Sequence, residues 1–304
     1  MKYIDCHAHV NFDAYAEDRD EVIKRALDDN TWIINVGTQL DTAKFAVELA
    51  EKYNEGVYAI VGLHPVHTSA SYHDESEIGE GGKEFTPHLF STKEKGLPLT
   101  TFSKKSGEGF TSRGEEFEME SYRELAKHPK VVAIGECGLD YFHMEGDTKA
   151  IQEKAFRGQI ELAKSVGKPL MLHIRNGNGE IGNAYSDALA ILDDYPEVIG
   201  NVHFFAGTVE DAEAFLSRGF YISFTGVITF AEDYEKLVRA VPLNRILSET
   251  DCPFVTPKPY RGKRNEPLYV QEVVKKIAEI KEESLEIVAE KLFENAERFF
   301  GFKK

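Results

Sequence analysis

Cysteine is scarce: the 304 residues hold only three, at positions 6, 137 and 252. That number and spacing build no disulfide framework, so the fold must rest on its own core, and a reducing compartment is expected. Long apolar runs are missing too, and none approaches the ~20 residues a helix needs to cross a bilayer. The opening Lys2-Tyr3-Ile4-Asp5-Cys6-His7 lacks the basic-then-apolar order of a secretory leader. Together these absences predict a cytoplasmic protein without a membrane partner, and no obligate protein partner is evident. Positive charge is also short, with 36 Lys and Arg against 52 Asp and Glu and a formal net charge of −16. Such a surface repels phosphate backbones at long range, which argues against a broad duplex footprint and leaves local contact with a strand end.

What is present is a rhythm. Eight short apolar or β-branched runs occur at Tyr3–Cys6, Trp32–Val36, Val57–Gly62, Val131–Gly135, Pro169–His173, Ile199–Phe204, Phe220–Phe224 and Arg245–Glu249. Amphipathic stretches such as Asp20–Asp28, Ala43–Tyr53, Ile151–Ser165, Val209–Arg218 and Asp233–Val241 separate them, and Val270, Val273, Val274, Ile277 and Ile280 follow at helical spacing. Strand followed by helix, eight times over, predicts a parallel (β/α)₈ barrel in one domain over residues 1–304, a length such barrels commonly reach. A doubly wound open sheet is the alternative, because counting strands does not establish closure. From Val66 to about Glu118 the rhythm stops in a stretch rich in Gly, Ser, Thr and Lys. It follows the third strand and so emerges on the face where barrel active sites lie. It is either an insertion that covers or narrows the site or a mobile surface excursion.

Chemistry-bearing residues gather at strand ends. His7 and His9, His64, Glu136, His173, His203 and Asp251 all stand at or just beyond the C-terminal end of a predicted strand, and five of the ten histidines are among them. A barrel brings these ends to one mouth. Residues two apart on a strand share a face, so the His7-x-His9 pair is able to grip one ion. A lone pair of this kind is more often a satisfied core feature, but with Glu136, His173, His203 and Asp251 at matching positions a metal site is the stronger reading. Imidazole with carboxylate suits Zn²⁺, Mn²⁺, Fe²⁺ or Ni²⁺ better than an all-oxygen ion such as Ca²⁺. Cys6, Cys137 and Cys252 each neighbour a proposed ligand. Alternation predicts that Cys6 faces away from His7 and His9, and Cys137 and Cys252 are expected to turn away as well, as buried small hydrophobes. His128 precedes the fourth strand and is expected at the opposite, stabilising face.

The motifs Asp5-Cys6-His7-Ala8-His9, Gly62-Leu63-His64-Pro65, Gly135-Glu136-Cys137-Gly138-Leu139-Asp140-Tyr141, Leu172-His173-Ile174-Arg175, Val202-His203-Phe204-Phe205-Ala206-Gly207 and Ser248-Glu249-Thr250-Asp251-Cys252-Pro253, with Pro259-Tyr260-Arg261-Gly262-Lys263-Arg264-Asn265-Glu266-Pro267, resemble the TatD family of metal-dependent hydrolases over nearly the whole chain. The resemblance implies a TIM barrel of the amidohydrolase-like superfamily, cytoplasmic, with metal-dependent deoxyribonuclease activity. By that resemblance His7, His9 and Asp251 hold one divalent ion and His173 and His203 a second, with Glu136 bridging both; Zn, Mn, Mg, Fe or Ni would serve. The chain departs from the family at Phe204-Phe205-Ala206-Gly207, at Ile174-Arg175-Asn176 and in the length of the Val66–Glu118 stretch, all near the substrate.

Two bridged ions would lower the pKa of a shared water toward ~7, with Asp251 as ligand and general base. His64 fits a donor to substrate phosphate or oxyanion, with a structural hydrogen bond as the plainer role. Lys258, Arg261, Lys263 and Arg264 place four positive charges in seven residues without an acid. A charge run is usually solvated surface, but this one follows Asp251 directly and suits phosphate. Arg175 would add a contact, and Tyr141 would either stack on a base or pack in the core. The leading reading is 3′–5′ exonucleolytic phosphodiester hydrolysis at DNA ends, or action on another phosphate-containing substrate. The competing reading is an amide, ester or lactone hydrolase, including an aminoacyl-tRNA deacylase, on the same metal pair. A non-catalytic protein with a relic metal site is the third.

Overall fold

A computed structural model describes residues 1–69, 71–73, 110–112, 114–142, 144, 147–177 and 182–302. Each apolar run becomes a strand of one parallel sheet, in sequential order: β1 (Tyr3–Ala8), β2 (Thr31–Val36), β3 (Val57–Val61), β4 (Val131–Asp140), β5 (Leu170–Arg175), β6 (Gly200–Val202), β7 (Tyr221–Phe224) and β8 (Ile246–Ser248). Between and after them come α1 (Arg19–Asp28), α2 (Leu40–Glu51), α3 (Met119–Ala126), α4 (Lys149–Val166), α5 (Ala184–Leu192), α6 (Val209–Ser217), α7 (Tyr234–Ala240), α8 (Val270–Lys281) and α9 (Leu285–Phe300). The first strand meets the last: Asp251 N donates to His7 O and His9 N to Cys252 O, each at 2.9 Å, around a parallel bridge between Ala8 and Cys252. A doubly wound sheet leaves its edges apart. The barrel expectation holds.

Helix ends follow local chemistry. Thr208 and Asp211 form a reciprocal capping box at α6, and α4 stops at Gly167, left-handed at φ 65°, where a Cβ would be strained. Among the described residues no helix is long and apolar enough to cross a membrane. Of the Val66–Glu118 stretch, a short 3₁₀ turn (Pro65–Thr68) and an antiparallel pair (Ser71–His73 with Phe110–Ser112) are described. Residues 70, 74–109 and 113, on which the expectation of a cover over the site rests, lie outside the described residues.

The barrel has two apolar layers. Tyr3, Ile33, Val57, Leu170, Leu172, Ile222 and Ile246 pack outward against the helices. Ile4, Cys6, Ile34, Val36, Ile60, Met171 and Leu247 fill the interior, closed at the N-terminal mouth by Phe293, Ala296, Phe299 and Phe300 of α9. Two bulges then set the site. On β1, Asp5 pairs with Ile33 but Ala8 with Asn35, so three residues span two of β2. The extra residue shifts the phase: Ala8 joins the outer layer although Ile4 and Cys6 are inside, and His7 and His9 turn inward. On β4, Ile134 pairs with Leu170 and Cys137 with Leu172; both Ile134 and Cys137 face outward, and Glu136 between them turns in. Gly135 permits this, since a Cβ there would lie 2.4 Å from Met171 O.

The β1 bulge corrects one expectation. Cys6 does not face away from His7 and His9; it points inward below them, among Ile4, Ile34, Ile60 and Leu247. Depth along the strand, not alternation, separates its thiol from the mouth. Cys137 and Cys252 pack in the outer layer, as expected.

Candidate metal centre

The inward positions at the C-terminal mouth converge on Glu136, whose two oxygens serve different neighbours. Oε2 lies 3.2 Å from His7 Nε2 and 3.8 Å from His9 Nε2. Oε1 lies 2.8 Å from both His173 Nδ1 and His203 Nε2, and 3.2 Å from His64 Nε2. Asp251 Oδ1 completes the first group, 3.5 Å from His9 Nε2 and 3.9 Å from His7 Nε2. Asp251 is left-handed at φ 54° and Phe204, next to His203, at φ 40°, conformations costly for residues with a Cβ and concentrated at working sites.

Partners behind the imidazoles decide which nitrogen faces the cluster. His9 Nδ1 lies 2.9 Å from Val36 O, a contact that requires N–H and leaves the Nε2 lone pair pointing inward. His173 is turned the other way: Nε2 meets Asp140 Oδ2 at 2.9 Å, which turns Nδ1 toward the cluster. Behind His203, Nδ1 lies 3.5 Å from Glu249 Oε1, and that carboxylate also accepts from Phe204 N at 2.5 Å and from Ser223 Oγ at 2.7 Å. Asp5 accepts from Thr250 N and His7 N, strapping β1 to the end of β8.

This arrangement fits cations. His9 Nε2 and His7 Nε2 lie 3.2 Å apart, His173 Nδ1 and His203 Nε2 also 3.2 Å apart, and His173 Nδ1 lies 2.8 Å from Glu136 Oε1. Nitrogens and carboxylate oxygens this close share either a proton or a metal ion, and imidazole with carboxylate is the donor chemistry of transition-metal ions. Among the described residues, three groups have donor atoms within 4.8 Å of one another: His7, His9 and Asp251; His7, Glu136 and His203; and His64, Glu136 and His173. No cysteine is among them.

Electrostatics agree with that reading. Burial opposes ionisation of Glu136, yet the imidazoles of His203, His64 and His7 and the hydrogen bond with His173 outweigh it and hold its carboxyl well below the usual range. Asp251 is likewise lowered, burial being overcome by His9, His203 and His7. Among the histidines, burial and then the neighbouring His203 lower His7, while burial and His173 push His64 down to about 4. His203 and His173 move up instead, because Glu136, Glu249 and Asp140 more than offset burial.

Other sequence-predicted residues divide. His64 joins the cluster, closer to Glu136 than a remote substrate donor would stand. Tyr141 requires a correction: it is only 2 % exposed, its hydroxyl donates to Asp187 Oδ2 at 2.7 Å, and Lys149 lies over its ring, so it packs in the core and offers no face to a base. Arg264 is engaged elsewhere, donating to Asp18 Oδ1 and Oδ2 and to Ala14 O and stacking on Tyr15. It anchors its loop to the start of α1. Arg175, Arg261 and Lys263 are exposed; Arg175 stacks on Phe142 and Arg261 on Phe230. His128 pairs with Glu51 at 2.8 Å, away from the cluster, as expected. Sequence reasoning assigned no role to Asp5, Asp140 or Glu249. The signal was there: each is a carboxylate inside a strand run or at its end, and all three are fully buried.

Comparison with known proteins follows this geometry. The sequence profile of a family described as TatD related DNase matches residues 4–301. A Bacillus subtilis (strain 168) protein named uncharacterized metal-dependent hydrolase YabD is 37% identical over 301 residues, covering 97% of this chain and 98% of that one. A Pantoea vagans protein named 3′-5′ ssDNA/RNA exonuclease TatD is 30% identical over 296 residues, covering 94% of each chain. Among solved structures, the TatD homologue YJJV of Escherichia coli K12 superposes with a TM-score of 0.71 at 24% identity, covering 99% of this chain and 98% of its own.

Proposed function

The chain belongs to the TatD family of metal-dependent hydrolases, and from that premise we propose that it hydrolyses phosphodiester bonds at DNA ends, with 3′–5′ polarity, and that Glu136 is among the residues that would hold two divalent ions. The observation that carries this reading is the division of Glu136 between two donor groups, Oε2 toward His7 and His9 and Oε1 toward His173 and His203. When bound, the two cations supply Lewis-acid polarisation and an acidified water.

The chain's own residues do the rest. His7, His9 and Asp251 would hold one ion and His173 and His203 the other. Asp251, its carboxyl kept ionised by three imidazoles, accepts the water's proton. His64, kept neutral by burial, offers one ring nitrogen to the cluster or to a substrate oxygen. Arg261 and Lys263, exposed on the segment after β8, draw phosphate into the mouth of a chain that is otherwise acidic. The three cysteines are free and buried, which supports a reducing, cytoplasmic setting.

The test offers metal-reconstituted protein 5′-labelled single-stranded DNA beside a panel of carboxylic esters and lactones. Stepwise shortening that vanishes in Asp251→Asn supports the reading. Ester or lactone turnover with intact DNA under every metal overturns it.

A further inference from the structure

The end of the barrel opposite the metal cluster holds a cleft of about 380 Å³ between the C-terminal ends of α3 and α4. Arg123, Ala126 and Lys127 line one side and Ser165, Val166 and Lys168 the other: three cations and no carboxylate, in a chain of net charge −16. Arg123 and Lys127 pair with Glu120 and Glu124 at 2.8 and 2.6 Å, exposed acids that do not line the cleft. Arg123 Nε is buried and has no hydrogen-bond partner among the described residues. Lys168 is half-buried, and its Nζ donates to the carbonyls of Ala126, the last residue of α3, and of His128, the latter at 3.2 Å. Burial pushes its pKa down to about 8. The neutral amine has two N–H bonds, which the two carbonyls occupy, and its lone pair is left over for the cleft.

We propose that Lys168 is an acylation site for anionic acyl donors of the acyl-phosphate class, which Arg123 and Lys127 draw into this cleft. A guanidinium and an ammonium suit the phosphate of such a donor, and a lysine that sheds its proton near neutral pH is a nucleophile. The Nζ lone pair attacks the acyl carbon and a C–N bond forms. The bond from that carbon to the bridging oxygen breaks, inorganic phosphate leaves with the electron pair, and the proton from nitrogen passes to solvent. The product is an uncharged amide. It keeps one N–H where two carbonyls stood, and it removes a cation from the C-terminal end of α3, where positive charge is favourable. The site is independent of the metal cluster and of the reaction proposed for it.

The test treats the full chain with acetyl phosphate at pH 7.5 and, separately, with N-acetoxysuccinimide, an uncharged acetyl donor, and follows each lysine by peptide mass spectrometry. Lys24 and Lys236, both exposed, serve as internal references, so any hydrolysis of the donor by the protein cancels in the ratio. With acetyl phosphate, Lys168 should be acetylated about tenfold faster than either reference, because a far larger share of it is neutral amine. With the uncharged donor that preference should fall severalfold. Arg123→Gln, and separately Lys127→Gln at an exposed position, should lower the acetyl phosphate preference toward the uncharged value and leave the uncharged one unaltered. Acetylation of Lys168 no faster than of Lys24 and Lys236 overturns the proposal. So does an equal preference with both donors, or one that neither variant moves.

Discussion

At the N-terminal mouth α9 sets Phe293, Phe299 and Phe300 against Ile4, Ile34 and Leu247, with Trp32 packed 5.1 Å from Phe293. At the C-terminal mouth the same interior carries His7, His9, Glu136, His173, His203 and Asp251, nearly all buried, with left-handed backbone at Phe204 and Asp251. One end gathers apolar area and stabilises the barrel; the other gathers buried imidazoles and carboxylates, a donor set suited to cations. Stability and chemistry are thus assigned to opposite ends of one tube.

Substitutions at the two ends should separate these roles. Asp251→Asn should cut turnover by about 10²–10⁴-fold while, with both proteins metal-free, it melts no earlier than wild type; a loss of fold in parallel would blur the division. Phe299→Ala, at the other end, should destabilise by about 3–5 kcal/mol in a denaturant titration and leave kcat of the folded protein unchanged. Chelation should abolish turnover and lower Tm, because ions that bind only the folded state stabilise it, while far-UV circular dichroism at room temperature stays that of the barrel.

Acid should divide the centre itself. An imidazole must be neutral to ligate, and a group with a raised pKa takes up its proton at higher pH. His173 and His203 are raised and His7 is lowered. As pH falls, metal held by the His173–His203 group should therefore leave before metal held by His7, His9 and Asp251, giving two steps in equilibrium dialysis; a single step, or the reverse order, contradicts this. The smallest effects concern the basic segment. Arg264→Ala should lower stability by less than about 1 kcal/mol, since its pair with Asp18 is partly exposed, and leave KM for DNA unchanged. Arg261→Ala should raise KM severalfold without loss of stability.

The barrel was legible because apolar runs and helical spacing survive in sequence without knowledge of register. The convergence of the candidate ligands was legible because His and Glu at strand ends have few other reasons to recur there. The bulges were not. A phase shift of one residue leaves no mark in a pattern of alternating residues, so Cys6 was expected on the wrong face. Tyr141 sits within a recognisable motif, and only its burial and its hydroxyl contact with Asp187 show that it belongs to the core. Arg264 looked available because its partner, Asp18, lies far away in the chain.

The most direct measurement is metal stoichiometry in wild type and in Glu136→Gln. Two equivalents of divalent metal in wild type, falling to one or none when Glu136 loses its charge, are the predicted result. A metal-free wild type purified without chelator, or full occupancy in Glu136→Gln, would contradict a centre built around that carboxylate.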